Sequence, residues 1–327
     1  MKKSLTPEEL RVRNERIKEL QPKEKTPFIF VPVNCPICGK ESIQKYIKNN
    51  VYTIGKRALD MRPIEYRFTD SDFSHIYPLM YFVWQCPHCK FTSDWEVFEN
   101  PVEDVISTLH NFRKRWLENY KTSEKFRNVL VALLNEEQND NHFFNAVKLY
   151  LMAIFQFSSI NSIAERDALI IAKLTLRLSW LLQDLEESPQ AASTKYLVDQ
   201  LKFSVIFNWE NAPFTIEEAH QLALTFYDTT YFASNIISEK MIEHNILQVI
   251  GRLNIILGNI KEGRDTLMKA ILAVNKYKSI LEKKIKSANV TKDEQDNLRG
   301  KIVLFDNFVQ DTQELLYEAK NLANKES

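Results

Sequence analysis

The chain has 327 residues, 44% hydrophobic and 26% charged, a make-up that fits a globular protein long enough for two domains. Lysine plus arginine equals aspartate plus glutamate at 43 each, so no overall field draws in nucleic acid or an anionic membrane surface. Six glycines in the whole chain leave no P-loop, no GxGxxG dinucleotide turn and no GxSxG nucleophile elbow, and HExxH is also missing.

The first segment, residues 1–26, opens with MKKSLTPEEL, two lysines with no apolar run behind them, which does not read as a secretory signal. Thr6, Pro7 and Glu9 supply a cap, a first-turn proline and a return carboxylate, predicting a helix over 7–20. Arg11, Arg13, Arg16 and Lys18 make this the most basic stretch, diluted by Glu8, Glu9, Glu15 and Glu19.

Residues 27–100 are bracketed by two short motifs, VNCPICGK and WQCPHCK, each entered from a strand-like run, FIFVPVN and YFVWQ. They contain the only four cysteines: Cys35, Cys38, Cys86 and Cys89. A C-x-x-C turn lets two thiolates take adjacent corners of a tetrahedron around one ion, with backbone amides pointing at the sulfurs. Two such turns close the coordination sphere, so the expectation is a structural zinc ion held by Cys35, Cys38, Cys86 and Cys89. Gly39 supplies the positive φ such a turn needs, and Lys90 holds the equivalent place less comfortably. The 47 residues between Cys38 and Cys86 exceed those of compact ribbons. The longer loop costs only about 1 kcal/mol, against roughly 10 kcal/mol of metal binding. The competing readings are a redox pair and a disulfide framework. Thioredoxin-type chemistry uses one C-x-x-C opening a helix, and a reduced compartment disfavours the disulfide. His88 is expected at the surface, and His75 is a spare ligand that four cysteines make unnecessary.

Between the motifs lies a charged, aromatic insert. Its Arg57, Asp60, Arg62, Asp70 and Asp72 read as solvated turns and surface pairs, worth under about 1 kcal/mol each, more readily than as a binding face. After the second motif, FTSDWEVF alternates as a strand would, with Phe91 and Trp95 on one face.

Beyond Pro101 the pattern becomes helical through residues 101–327. Thr215 with Glu218, stapled by Phe214, and Thr291 with Glu294 are capping boxes. ALIIAKLTLRLSWLL looks membranous until Lys173 and Arg177 interrupt it, so no bilayer span is expected and the default compartment is cytoplasmic. Residues 245–272 follow a tetratricopeptide-like helix–turn–helix pattern. Gly251 and Ala270 permit close helix approach there, and Gly258 suits the turn. Residues 127–158 repeat the offsets, with Asn141 at the left-handed turn, and a third register around Trp180, Ala192 and Tyr196 is weak. Ile302, Leu304, Phe305, Phe308, Leu315 and Leu316 form an apolar stripe on a last helix that caps the array.

CPICGK, SDFSHIY with Asp72, Phe73 and Tyr77, YFVWQCPHCKF, and the segment Leu176 to Leu182 occur in an order that resembles a bacterial family of uncharacterised proteins, domain-of-unknown-function family 2225. The resemblance implies a zinc-ribbon-like start and a tetratricopeptide-like tail, and brings no activity with it. The expected fold is therefore α+β, mostly α: a small zinc-ribbon-like β module followed by a helical array. The function expected is non-enzymatic: zinc binding with a helical scaffold for a protein or peptide partner. The alternative is a nucleic-acid-associated ribbon, using Tyr46, Tyr52, Tyr66, Arg57 and Arg67. An enzyme built on Asp70, Asp72 and His75 is the weakest reading.

Overall fold

The computed structural model describes residues 7–99, 103–134, 140–159, 165–233, 242–286 and 291–326. The fold is α+β and mostly helical, with three two-stranded antiparallel sheets before residue 95 and helices after it. The chain divides into two compact units, Met1–Arg57 with Arg62–Ala223, and Ala58–Met61 with Leu224–Ser327.

In the first unit, helix α1 (Pro7–Leu20) forms where the proline and acidic start predict it; Thr6 lies outside the described residues. Arg16 of α1 makes a forked ion pair with Glu41, at 2.5 and 2.6 Å, and Gln21 clips the end of the helix to both backbone groups of Phe30. Strand β1 (Phe28–Asn34) pairs with β2 (Glu41–Ile47) from Phe28↔Ile47 to Asn34↔Glu41, so the first cysteine motif is the hairpin turn. The insert contributes β3 (Tyr52–Ile54) and β4 (Tyr66–Phe68) and two short 3-10 turns, Ser71–Phe73 and Pro78–Tyr81. Strand β5 (Val83–Gln85) pairs with β6 (Thr92–Asp94) around the second motif.

The strand expected across FTSDWEVF stops at Asp94. There the Asp94 carboxylate accepts from the Glu96 amide at 2.9 Å, an Asx cap that starts helix α2 (Trp95–Glu99). Helices α3 (Glu103–Thr122), α4 (Glu124–Leu134), α5 (His142–Ser158), α6 (Glu165–Glu186) and α7 (Ala191–Val205) follow. The core centres on α5 and α6, where Tyr150, Leu151, Ile154, Ile171, Leu174 and Leu178 are fully buried. Helix α5 is apolar nearly all round because it is packed on nearly every side. Asn141 does not make a left-handed turn. With φ −77° it is the N-cap of α5, its side chain accepting from the Phe144 amide at 3.0 Å. Tyr196 faces solvent rather than a neighbouring helix.

Helix α8 (Ile216–Ala233) starts on the reciprocal box expected of Thr215 and Glu218, at 3.1 and 2.9 Å, over a buried Phe214. The second unit contains α9 (Glu243–Ile256), α10 (Ile260–Ile285) and α11 (Lys292–Glu326). Gly258, φ +84°, turns the α9–α10 hairpin. A Cβ on Gly251 would stand 2.7 Å from Leu267, and one on Gly263 would stand 2.7 Å from the Gly251 carbonyl oxygen. The two glycines let the backbones touch. Thr291 caps α11, but Glu294 turns to Lys284 at 2.8 Å, so half of that box forms. Leu315 packs into the core of this unit with Leu316 beside it, Phe305 and Phe308 pack on a second cluster, and Leu304 is exposed instead of joining the stripe. The turn Ala58–Met61 closes with Met61 at φ +70°. It places Leu59 against Ile255, Ile260 and Leu315, and Arg252 donates to the Leu59 carbonyl at 3.0 Å. Among the described residues no helix is long and apolar enough to cross a membrane.

Candidate metal centre

The two cysteine motifs fold into the same turn. Cys35 N–H donates to the Lys40 carbonyl at 2.9 Å and Gly39 N–H to the Cys35 carbonyl at 2.8 Å. In the second turn Cys86 N–H donates to Phe91 at 2.8 Å and Lys90 N–H to Cys86 at 2.9 Å. Gly39 has φ +73° and Lys90 φ +60°, so the second turn holds its lysine in the left-handed region that glycine occupies in the first.

The turns meet. The Sγ atoms of Cys35, Cys38, Cys86 and Cys89 all lie within 4.8 Å of one another, the closest pairs being Cys35–Cys89 at 3.6 Å and Cys38–Cys86 at 3.7 Å. Four sulfurs about 2.3 Å from a shared tetrahedral ion are separated by about 3.8 Å along each edge, so the set is already nearly at ligating separation. Cys35 and Cys86 are buried, and the other two are half-buried. The donor set, four soft sulfurs with no carboxylate or imidazole among them, suits a thiophilic ion and leaves no open position. Both C-x-x-C motifs sit in β-hairpin turns, not at a helix start as a thioredoxin-type cysteine does.

The protons in this cluster are unevenly held. The bond donated by the Cys89 thiol lowers Cys35 to about 5, against the opposing effect of burial, and the Cys38 and Ile37 amides also favour its thiolate. Cys89 moves the other way, first because it is that donor and then because it is buried; burial also raises Cys86. A metal entering the cluster displaces the remaining thiol protons.

The surroundings fix both turns. Gln44 donates to the Gln85 carbonyl and Trp84 to the Lys45 carbonyl, each at 3.0 Å, tying one hairpin to the other. Gln156, fully buried on α5, accepts from the Thr92 amide at 3.0 Å and donates to the Lys90 carbonyl at 2.9 Å. One side chain thus pairs with the second turn as a neighbouring strand would. Phe91 packs on Phe98, Phe112 and Phe157, and Arg177 of α6 pairs with Asp94 while lying over the Phe82 ring. Sequence reasoning missed Gln156 and the Asp94–Arg177 pair. The available signal was a lone polar residue in the apolar run MAIFQF.

The other candidate residues do not converge. Exposed His88 contacts the Glu41 carbonyl at 3.2 Å, and His75 is outside the cysteine cluster. Asp60 is buried in the second unit. Arg62 is no surface pair: it is buried in the first unit, 2.7 Å from Asp184 and 2.8 Å from Glu187. Arg57 is exposed, and its backbone bridges to Pro63. Asp70 caps the Ser71–Phe73 turn and pairs with Lys25. Asp72 and His75 share the wall of a cleft.

Fold and site together define a class: a double-knuckle β module with a four-cysteine cluster able to hold a metal ion, followed by a helical array. The chain belongs to the bacterial family described as "uncharacterized protein conserved in bacteria", domain-of-unknown-function family 2225, whose model matches residues 31–297. No curated protein matches the chain, and no solved structure does.

Proposed function

We propose that this chain is a non-enzymatic cytoplasmic interaction protein. Zinc held by Cys35, Cys38, Cys86 and Cys89 fixes its β module, and a tetratricopeptide-like helical scaffold takes a protein partner. The observation that carries the metal reading is the four-sulfur cluster, all within 4.8 Å of one another, with two pairs at 3.6 and 3.7 Å, close to a tetrahedral edge. A closed thiolate set contributes folding free energy and offers no site for substrate.

The partner reading rests on exposed aromatic surface. Tyr196, Phe203 and Phe207 follow one another at helical spacing along and just past α7, and Phe207 is 83% exposed. Surface aromatics grouped in this way are a feature of protein contact sites. The helices of the second unit, moreover, already hold the Ala58–Met61 turn through an apolar anchor and a bond to its backbone.

The nucleic-acid alternative has less support. Tyr46 lies against Trp84 and Trp95, and Tyr52 and Tyr66 pack on one another, leaving their faces poorly placed for bases. Arg16 is paired with Glu41, and Arg67 with Glu65. Cross-linked affinity capture with the wild type and with a Phe203→Asp, Phe207→Asp double variant tests the partner reading. A defined partner that the variant loses supports it. Identical recovery with both proteins, or salt-sensitive recovery of nucleic acid alone, counts against it.

A further inference from the structure

We propose that the second unit carries a docking seat for a protein segment that presents leucine followed by aspartate at the tip of a tight turn. Its own Ala58–Met61 turn fills the seat until such a partner exchanges with it. The inference rests on the partner reading above and names the chemistry of the partner that the helical scaffold takes.

The occupant is the tip of a hairpin. Strands β3 and β4 pair antiparallel, Gly55 N–H donates to the Glu65 carbonyl at 2.9 Å and Ile64 N–H to the Lys56 carbonyl at 3.0 Å, and Arg57 bridges to Pro63. Those pairings leave residues 58–61 to turn the chain. Met61 N–H donates to the Ala58 carbonyl at 3.0 Å, with Met61 held at φ +70°. A residue with a side chain seldom takes that left-handed conformation unaided, so the surroundings select this turn. Arg57 and Arg62 on either side of it belong to the first unit, whereas Ala58–Met61 belongs to the second.

The seat reads the tip in three ways. Leu59 lies on Ile255 of α9, Ile260 of α10 and Leu315 of α11, so three helices meet at one apolar anchor. Arg252 of α9 donates to the Leu59 carbonyl at 3.0 Å. Asp60, the next residue, is 4% exposed and Arg252 is 9% exposed, so the tip's carboxylate is buried one residue from the guanidinium's bond. Burying two charges costs more than burying apolar side chains of the same volume, and what it adds is discrimination among occupants. An apolar anchor, a bond to the backbone and a charge match are the means by which folded domains read short peptides. The tip brings Leu59 as its anchor and Asp60 as its charge, a contact small enough for a partner segment to replace.

The probe is a head-to-tail cyclised peptide of residues 56–63, KRALDMRP, labelled and titrated with the full chain by fluorescence anisotropy. A Leu59→Ala, Asp60→Ala double variant, whose own tip no longer fills the seat, should bind it about tenfold tighter than the wild type, whose tip competes. Alanine in place of the peptide's leucine should weaken binding about tenfold, and asparagine in place of its aspartate several-fold. On the wild type, excess peptide should shift the methyl NMR signals of Ile255, Ile260 and Leu315, a readout that needs no variant to fold. Equal binding to wild type and variant, equal binding of a scrambled cycle, or unmoved methyl signals would overturn the proposal. So would a variant that pairs with the wild-type chain but not with the peptide, since the seat would then serve a second copy. The Phe203→Asp, Phe207→Asp capture experiment probes the first unit and leaves this titration untouched, so the two readings fail separately.

Discussion

Gln156 gives both ends of its amide to the backbone of the second cysteine turn, and among the described residues no neighbouring strand does the same. Gln156→Leu nearly preserves volume but leaves the buried Thr92 amide without a partner and the Lys90 carbonyl with the Thr92 hydroxyl alone. The expected loss is about 1–3 kcal/mol in denaturant unfolding of the first unit. A loss below about 0.5 kcal/mol would show that water or relaxation replaces both bonds. His244 offers a residue-scale test in the second unit. Its ring stands edge-on to Phe305 and Phe308, with Tyr277 nearby, and its buried Nδ1 has no partner. Burial lowers its pKa and Glu243 partly opposes this; Tyr277 and Tyr231 are the other titratable groups at the cluster. The unfolded chain therefore binds this proton more readily than the folded one. Stability from neutral His244 is complete above its ordinary pKa of about 6.5 and declines as pH falls below it. His244→Phe should flatten the loss of stability between about pH 7.5 and about pH 5 relative to the wild type. Parallel curves for the two proteins would contradict this.

Among the elements, the α9–α10 hairpin was the most legible, because its information is local. Gly251, Gly258 and the apolar spacing around them lie within one short stretch, and the structure uses each as expected. Gly263 is where the two helix backbones meet. Gly263→Ala would push a methyl to 2.7 Å from a backbone oxygen that cannot swing away. The predicted cost is about 1–3 kcal/mol, read as a lower unfolding midpoint of the second unit. Gly300→Ala, with nothing near its Cβ, should instead be neutral or slightly stabilising. Elements were misread where one side chain outweighed a periodic pattern. Asp94 starts a helix inside what looks like a strand, and Asn141 caps α5 where a left-handed turn also fits the spacing. Period alone does not show which hydrogen bond a short polar side chain will choose.

At the scale of the molecule, the four cysteines were readable because a C-x-x-C turn carries its own geometry and needs only a second copy. What brings the copies together was not readable. The Gln44–Gln85 bond spans 41 residues, Trp84–Lys45 spans 39, and the Gln156 clamp spans more than 60. Such pairings leave no periodic trace in a single sequence. The charged insert shows the same limit: it looks like one polar surface, yet Arg62 is buried against Asp184, and Asp60 belongs to the second unit. The most direct test of the account is metal content, measured by elemental analysis on chain purified without added metal, beside Cys86→Ser. The account predicts about one zinc ion per wild-type chain, no visible absorption from iron, and loss of both metal and first-unit folding in Cys86→Ser or after chelation. A wild-type chain that is metal-free, fully folded and unchanged by chelator would contradict it.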